Sequence, residues 1–465
     1  MSARVLPQTE ILVVGGGPAG STSAALLAAQ GFEVTLLERD CFPRYHIGES
    51  LLPSLLPILD LLGAREAVEE QGFVHKSGAY YDWGGQQWSL RFGRLDQAGY
   101  SFQVVRSAFD QVLLQHARSR GVQVWEGTTV RGISFEQGRA ARAGFVSGDG
   151  GSGTISFRHL VDCSGRAGLL ASRQLRTRRF HDVFRNVATW GYWRRAARVQ
   201  QAPEGAICIF SLPDHGWFWA IPLHDQTVSV GLVTDKRSFA AARRELGSVE
   251  AVYAACLGDA PALARMLADA ERVGGLRTES DYSYVADRFC GPGYYLAGDA
   301  ACFLDPLLST GVHLAMYSGL LAAASIAAVH RGEVDEGDAR AFYQTAYQHA
   351  YERLLILVGA FYDIHHGRDA YFRHAQQLSH RDQQGLRLHE SFLHIISGIE
   401  DLHDAQHSPV DVLFDRLQTP LHGRPPTGLG GHGTSLMTPW PTTPTHAAAG
   451  HYLTIEPHLG LRRAP

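Results

Sequence analysis

Glu10-Ile11-Leu12-Val13-Val14-Gly15-Gly16-Gly17-Pro18-Ala19-Gly20 decides the fold. Glu10 to Val14 reads as a buried strand. The glycines after it make a G-x-G-x-x-G that opens a helix running through Ala24 to Ala29, with Gly31 as its C-terminal cap. Glu33 to Glu38 is a second strand ending on an acid. Gly15 allows the tight turn, Gly17 lets the backbone approach a pyrophosphate, and Gly20 packs helix on strand. Unpaired N–H groups and the dipole at the helix start favour the phosphates, and Glu38 would take the ribose hydroxyls. Strand, glycines, helix, strand and terminal acid at this spacing predict a Rossmann-like, dinucleotide-binding α/β domain.

The chain has 465 residues, 45% hydrophobic and 19% charged, which is room for two or three domains with a large core. A formal net charge of -4 offers no basic field for nucleic acid or an anionic membrane. The six cysteines form no C-x-x-C pair, and the histidines at 365, 366 and 374 form no ligand set, so no metal is expected. The N-terminus carries no signal-peptide pattern, and Val312 to Val329 reads as a buried Ala-rich helix rather than a membrane span. A cytoplasmic enzyme is expected.

Gly48-Glu49-Ser50 precedes a Pro-punctuated apolar helix, Leu51 to Leu62, capped by Ser50 or started near Pro53. Arg106, with Asp110 one turn on, opens another helix, and Val122 to Trp125 returns as a strand. Val130 to Phe157 reads as a meander, and Leu160 to Asp162 as a buried strand ending in D-x-S-G. From Asn186 to Val233 the pattern changes to strands: 186–193, 206–212, 217–221 and 227–233, with Pro213-Asp214-His215-Gly216 as one turn. Val228, Val230 and Leu232 alternate with Thr227, Ser229 and Gly231, which predicts a half-buried antiparallel sheet stacked on the first domain. Asp281 to Tyr284 is expected to re-enter the nucleotide domain, ahead of Gly298-Asp299. Ser309-Thr310-Gly311 then starts the Val312 helix. Its unpaired N–H groups make an anion site worth about 0.3–2 kcal/mol unless Ser309 or Thr310 simply caps it.

In Trp217-Phe218-Trp219-Ala220-Ile221-Pro222 two indoles stand two residues apart, so they share one face of a strand. Lys76 sits in Lys76-Ser77-Gly78-Ala79 beside Tyr80, Tyr81, Trp83 and Trp88. A lysine held among those rings would be desolvated and its pKa lowered, leaving an amine able to act as nucleophile or donor.

W-x-W-x-I-P, Lys76 and the fingerprint, in that company and order, resemble the flavin-dependent halogenases over residues 8 to 330. The resemblance implies a p-hydroxybenzoate-hydroxylase-like FAD domain (1–75, 100–172 and 280–330), an antiparallel substrate domain (76–99 and 173–279), a helical region (331–416) and a Pro/Gly/His-rich tail (417–465). It places FAD on Gly15, Gly17, Pro18, Ala19, Gly20, Glu38, Arg39, Arg44, Gly48, Glu49, Ser50, Arg106, Asp299 and Gly311. Halide falls at Thr310 and Gly311, and catalysis at Lys76, Trp217 and Trp219.

With no NAD(P)H module visible, a separate flavin reductase would supply FADH2. Chloride or bromide would become hypohalous acid, pass inside the protein to Lys76, and halogenate an electron-rich ring. Leu308 stands where free-tryptophan halogenases carry a glutamate before Ser-Thr-Gly. This favours phenol or pyrrole substrates, free or tethered to an acyl or peptidyl carrier protein, and leaves an enolisable aliphatic substrate open. The rivals are an aromatic hydroxylase on the same fold, which needs neither Lys76 nor the tryptophans, an isoprenoid-type reductase, and a non-catalytic flavin-binding recruiter of a carrier protein.

Overall fold

The computed structural model describes residues 7–83, 85–92, 99–213, 216–366, 441–442, 444 and 447–465. Two eight-stranded sheets carry the chain. The first places Gln8–Val14 between Ser152–Asp162 and Val34–Leu37, all parallel, with Gln123–Trp125 at one side and Tyr294–Leu296 at the other. Its central strands are buried on both faces, as expected of parallel strands covered by helices. Helices Pro18–Ala29, Arg106–Ser119 and Gly311–Arg331 pack together beside it. The expected meander is an antiparallel extension, Thr128–Glu136, Arg139–Ser147 and Ser152–Asp162. Its last strand runs unbroken into the parallel sheet rather than stopping near Phe157.

The second sheet runs in the order Cys302–Phe303, Glu271–Ala286, Arg178–Arg194, Thr227–Asp235, Gly216–Pro222, Ile207–Leu212, Gly78–Trp83 and Gln86–Arg91. Pairing is antiparallel except between Ile207–Leu212 and Gly78–Trp83. The expectation of a half-buried sheet is corrected. Ser229, Val230, Gly231, Leu232 and Val233 are all buried. Helices Lys236–Leu246, Val249–Gly258 and Pro261–Met266, which the sequence reading did not assign, follow the sheet strand Thr227–Asp235. Phe218, Val230, Leu232, Tyr253 and Leu263 form one apolar cluster on the face away from the tryptophans. Tyr253 caps it by donating its hydroxyl to the Val230 carbonyl at 3.1 Å. Residues 281–284 stay on this sheet, inside Glu271–Ala286, and the chain rejoins the parallel sheet only at Cys290.

The apolar segment forms the helix Gly311–Arg331, long and apolar enough to cross a membrane but 94% buried inside the protein. Helix Glu336–His366 packs on it. The end of the tail wraps back: hairpin strands His451–Thr454 and Gly460–Arg463 bury Leu453, Leu459 and Leu461. Arg331 anchors this hairpin by donating to the Leu459 carbonyl at 2.7 Å. The expected helix beyond 366, His374, the tail from 417 to 440 and the turn residues Asp214 and His215 lie outside the described residues.

Candidate active site

A cavity of about 660 Å³ opens between the two sheets, within the usual range for a cofactor site. At one end, Gly15 takes φ +105°, and a Cβ there would lie 2.2 Å from the Cys163 carbonyl oxygen. A Cβ on Gly20 would lie 1.9 Å from the Gly15 oxygen, so both glycines are dictated by backbone contact. Pro18 is the first residue of the helix, where its missing N–H costs nothing. No side chain caps that helix. Arg44 lies against Gly17, and its Nη1 faces Asp110 Oδ2 at 3.3 Å while making no hydrogen bond. An uncapped helix start beside a guanidinium with an unused donor fits a diphosphate. The buried Glu38 accepts from Gly16 N at 2.6 Å and Asp40 N at 2.9 Å. Each carboxylate oxygen keeps a lone pair for a ribose hydroxyl. Arg39 is exposed at the rim and paired with Asp40.

The segment 44–50 forms one wall. Arg106 grips Asp110 through Nε at 2.8 Å and Nη2 at 2.9 Å, and donates Nη1 to the Ile47 carbonyl at 2.8 Å. The guanidinium is therefore spent on the helix-start pair and on bracing this wall, rather than presented whole to a cofactor. Gly48, at φ +107°, is required because a Cβ would stand 2.8 Å from Arg106 Nη1. Ser50 bridges to Gln103, and Glu49 O accepts from Val104 N, so the wall continues as a strand-like edge.

Asp299 also lines the cavity, next to Gly298, where a Cβ would lie 3.3 Å from the Ala19 Cβ of the fingerprint. Burial pushes its carboxyl up, offset by the Arg166, Arg106 and Arg178 charges. Ser309 adopts φ +57°, and neither its hydroxyl nor that of Thr310 caps the helix Gly311–Arg331. The plain-cap alternative is not what forms. Thr310, Gly311 and Val312 line the cavity, so the first-turn N–H groups sit at its wall with the positive end of a 21-residue helix. Asp305 steadies the loop, accepting from Leu307 N at 3.0 Å and Asn186 Nδ2 at 2.9 Å.

Trp217 and Trp219 face the same cavity, their rings 6.0 Å apart. Trp190, which the sequence reading did not single out, joins them 6.4 Å from Trp219. Trp219 lies flat over Gly231, where a Cβ would meet the indole at 2.0 Å, and donates Nε1 to Ser229 Oγ at 3.2 Å. Lys76 does not line this cavity. It is 2% exposed on the strand Val74–Lys76, paired with Ser101–Gln103. Its Nζ donates to the Leu51 carbonyl at 3.0 Å and lies 5.4 Å from the Phe92 ring. Burial alone lowers its pKa to about 7. Tyr45 and His46 also line the cavity and were missed, although they fall between Arg44 and Gly48, both picked from sequence.

The family model described as "Tryptophan halogenase" matches residues 10–98 and 94–407. A "Tryptophan 2-halogenase" of Chondromyces crocatus is 48% identical, over 86% of this chain and 77% of its own length. The flavin-dependent halogenase armH3 of Armillaria mellea is 42% identical, over 78% and 76%. Among solved structures, the myxobacterial chondrochloren halogenase CndH superposes with a TM-score of 0.74 at 34% identity, covering 87% of this chain and 92% of that one. With FAD as its cofactor and halide as its substrate ion, this chain belongs to the tryptophan halogenase family of flavin-dependent halogenases.

Proposed function

We propose that the protein is a two-component, FADH2-dependent halogenase of an electron-rich ring, a phenol or pyrrole, free or carrier-tethered. A separate reductase supplies the flavin, and the site of action is the cytoplasm, in keeping with six unpaired cysteines. The observation that carries this reading is Lys76: an amine sealed from water, outside the flavin cavity, and poised to be neutral near pH 7. Bound reduced flavin supplies, with O2, the two-electron oxidation of halide to hypohalous acid.

The protein's residues do the rest. The backbone at Thr310 and Gly311 holds the halide. Trp217 and Trp219 wall the oxidising chamber from the substrate, so the oxidant must pass through the interior to reach Lys76. There the neutral amine either hydrogen-bonds hypohalous acid or takes the halogen, releasing water. The ring carbon then receives the halogen, and its proton returns the amine to its starting state. A protonated lysine has no lone pair for the second route, which is why desolvation matters.

Burial is the cause of the Lys76 shift, and among the described residues no carboxylate pairs with the amine. Leu308 stands in the apolar core where a glutamate would otherwise be. The ring must then be activated by its own hydroxyl or nitrogen. An indole is the second reading, favoured by the name of the relative from Chondromyces crocatus.

The test is Lys76→Ala. Halogenation is expected to vanish while flavin oxidation and peroxide release persist; full product formation would remove Lys76 from the mechanism. Incubation with a reductase, halide and a panel of free and carrier-bound phenols, pyrroles and indoles, read by mass, decides the substrate class.

A further inference from the structure

Oxidation of halide consumes a proton: FADH2 + O2 + X⁻ + H⁺ gives FAD + HOX + H2O. Beside the three indoles that wall the chamber, a protein group with a path to solvent can supply that proton. Glu49 lines the cavity and is 3% exposed. Its Oε1 accepts from the Tyr192 hydroxyl at 2.7 Å, while Oε2 has no hydrogen-bond partner. Tyr192 meets the Tyr45 hydroxyl at 2.9 Å, and Trp190 Nε1 donates to Tyr45 at 2.6 Å. Tyr45 is 44% exposed, with Arg277 stacked 3.9 Å over its ring.

Tyr192 has a single hydroxyl proton and donates it to Glu49, so in its contact with Tyr45 it must accept, and the indole N–H of Trp190 can only donate to Tyr45. Tyr45 must spend its own proton on Tyr192, and Tyr192 on Glu49. Every O–H along the path points inward, from the exposed ring to the buried carboxyl. This is the arrangement that passes protons to a carboxylate by successive hops: Tyr192 gives its proton to Oε1 and takes that of Tyr45, which is restored from water.

We propose that Glu49 is the proton donor for halide oxidation and that Tyr192 and Tyr45 recharge it from solvent once per turnover. The groups facing it are Tyr192 on the strand Arg178–Arg194, Ser229 on the neighbouring strand, Arg106 on its helix and Asp225 in the turn before Thr227. Burial outweighs the Arg106 charge and the two hydroxyls and lifts the carboxyl to about 7, so at neutral pH a proton is both held and releasable.

The first test needs no turnover. Infrared difference spectra of the whole protein, titrated across neutral pH, should show a protonated-carboxyl C=O band in the wild type that Glu49→Gln abolishes. An unchanged band in Glu49→Gln overturns the proposal whatever the activity. The second test follows halide oxidation with a diffusible scavenger, so it does not depend on knowing the substrate. Glu49→Gln, with FAD binding intact as the folding control, should lose at least tenfold in rate and the pH dependence near 7. Tyr192→Phe should keep the infrared band and the first turnover but slow later ones several-fold. A Glu49→Gln pH profile matching the wild type, or a Tyr192→Phe with unaltered multiple turnover, sinks the relay. A wild type that oxidises no halide but shows the titrating band would instead fault the halogenase reading.

Discussion

Lys76 Nζ donates to the carbonyl of Leu51, two residues beyond the cavity-lining Glu49 in the chain. One short stretch, Gly48 to Leu51, therefore lines the flavin chamber with its first three residues and holds the lysine with its fourth. Among the described residues the lysine is held by a neutral carbonyl and the face of Phe92 rather than by a carboxylate, which offsets little of the cost of charging it.

That cost is measurable as a pH-dependent stability. The ordinary lysine value of 10.5 applies to the unfolded chain and about 7 to the folded protein. Between those pH values the unfolded chain binds more protons. Stability contributed at this site therefore rises with pH across the window, and the penalty is complete below 7. Lys76→Met keeps the bulk and removes the titration. Its gain in melting temperature over wild type should be larger at pH 6 than at pH 9. A gain independent of pH would mean that the amine is not desolvated. Glu49 titrates in the opposite sense, losing stability between 4.5 and about 7, but is common to both proteins and cancels.

Gly231→Ala tests the indole wall. The new Cβ would lie 2.0 Å from the Trp219 ring, so the indole must move. An overpacking cost of about 1–3 kcal/mol is expected in thermal unfolding. Altered tryptophan fluorescence and more hypohalous acid escaping to a scavenger per flavin oxidised should accompany it.

Arg106→Ala removes both bonds to Asp110, a fully buried carboxylate, and the brace on Ile47. Leaving such a charge with only the Arg44 contact at 3.3 Å should cost about 3–5 kcal/mol. FAD affinity, measured by flavin fluorescence, should fall at least about tenfold, equivalent to 1.4 kcal/mol. Arg106→Lys should recover little, because a point cation cannot replace a two-pronged donor.

Asp305→Ala removes the acceptor that holds Leu307 N and Asn186 Nδ2 just before the halide loop. Loss of such a capping acceptor costs about 0.5–2 kcal/mol. The KM for halide should rise while FAD affinity changes far less, since the bonds lost brace the loop ahead of Gly311 and not the Gly15–Gly20 turn. Equal loss of both would mean the loop holds flavin rather than halide.

The sequence by itself determined everything that depends on local spacing. The glycine fingerprint, Glu38, the strand register of Trp217 and Trp219, and the buried helix after Gly311 follow from steric rules that act over a few residues. The desolvation of Lys76 was also legible, because Tyr80, Tyr81 and Trp83 announce an apolar neighbourhood. Only the tertiary structure decided which partners those residues meet. The central strands of the second sheet are buried on both faces because helices of residues 236–266 lie across them, a long-range packing event that strand alternation does not encode. Arg106 is consumed by Asp110 and Ile47 rather than left whole for a ligand. Glu49, Tyr192, Tyr45 and Trp190 are scattered over nearly 150 positions and become one directed chain only when the strand Arg178–Arg194 is laid beside segment 44–50. Hydrogen-bond direction is a property of neighbours in space, and adjacency in space is what a linear chain leaves open.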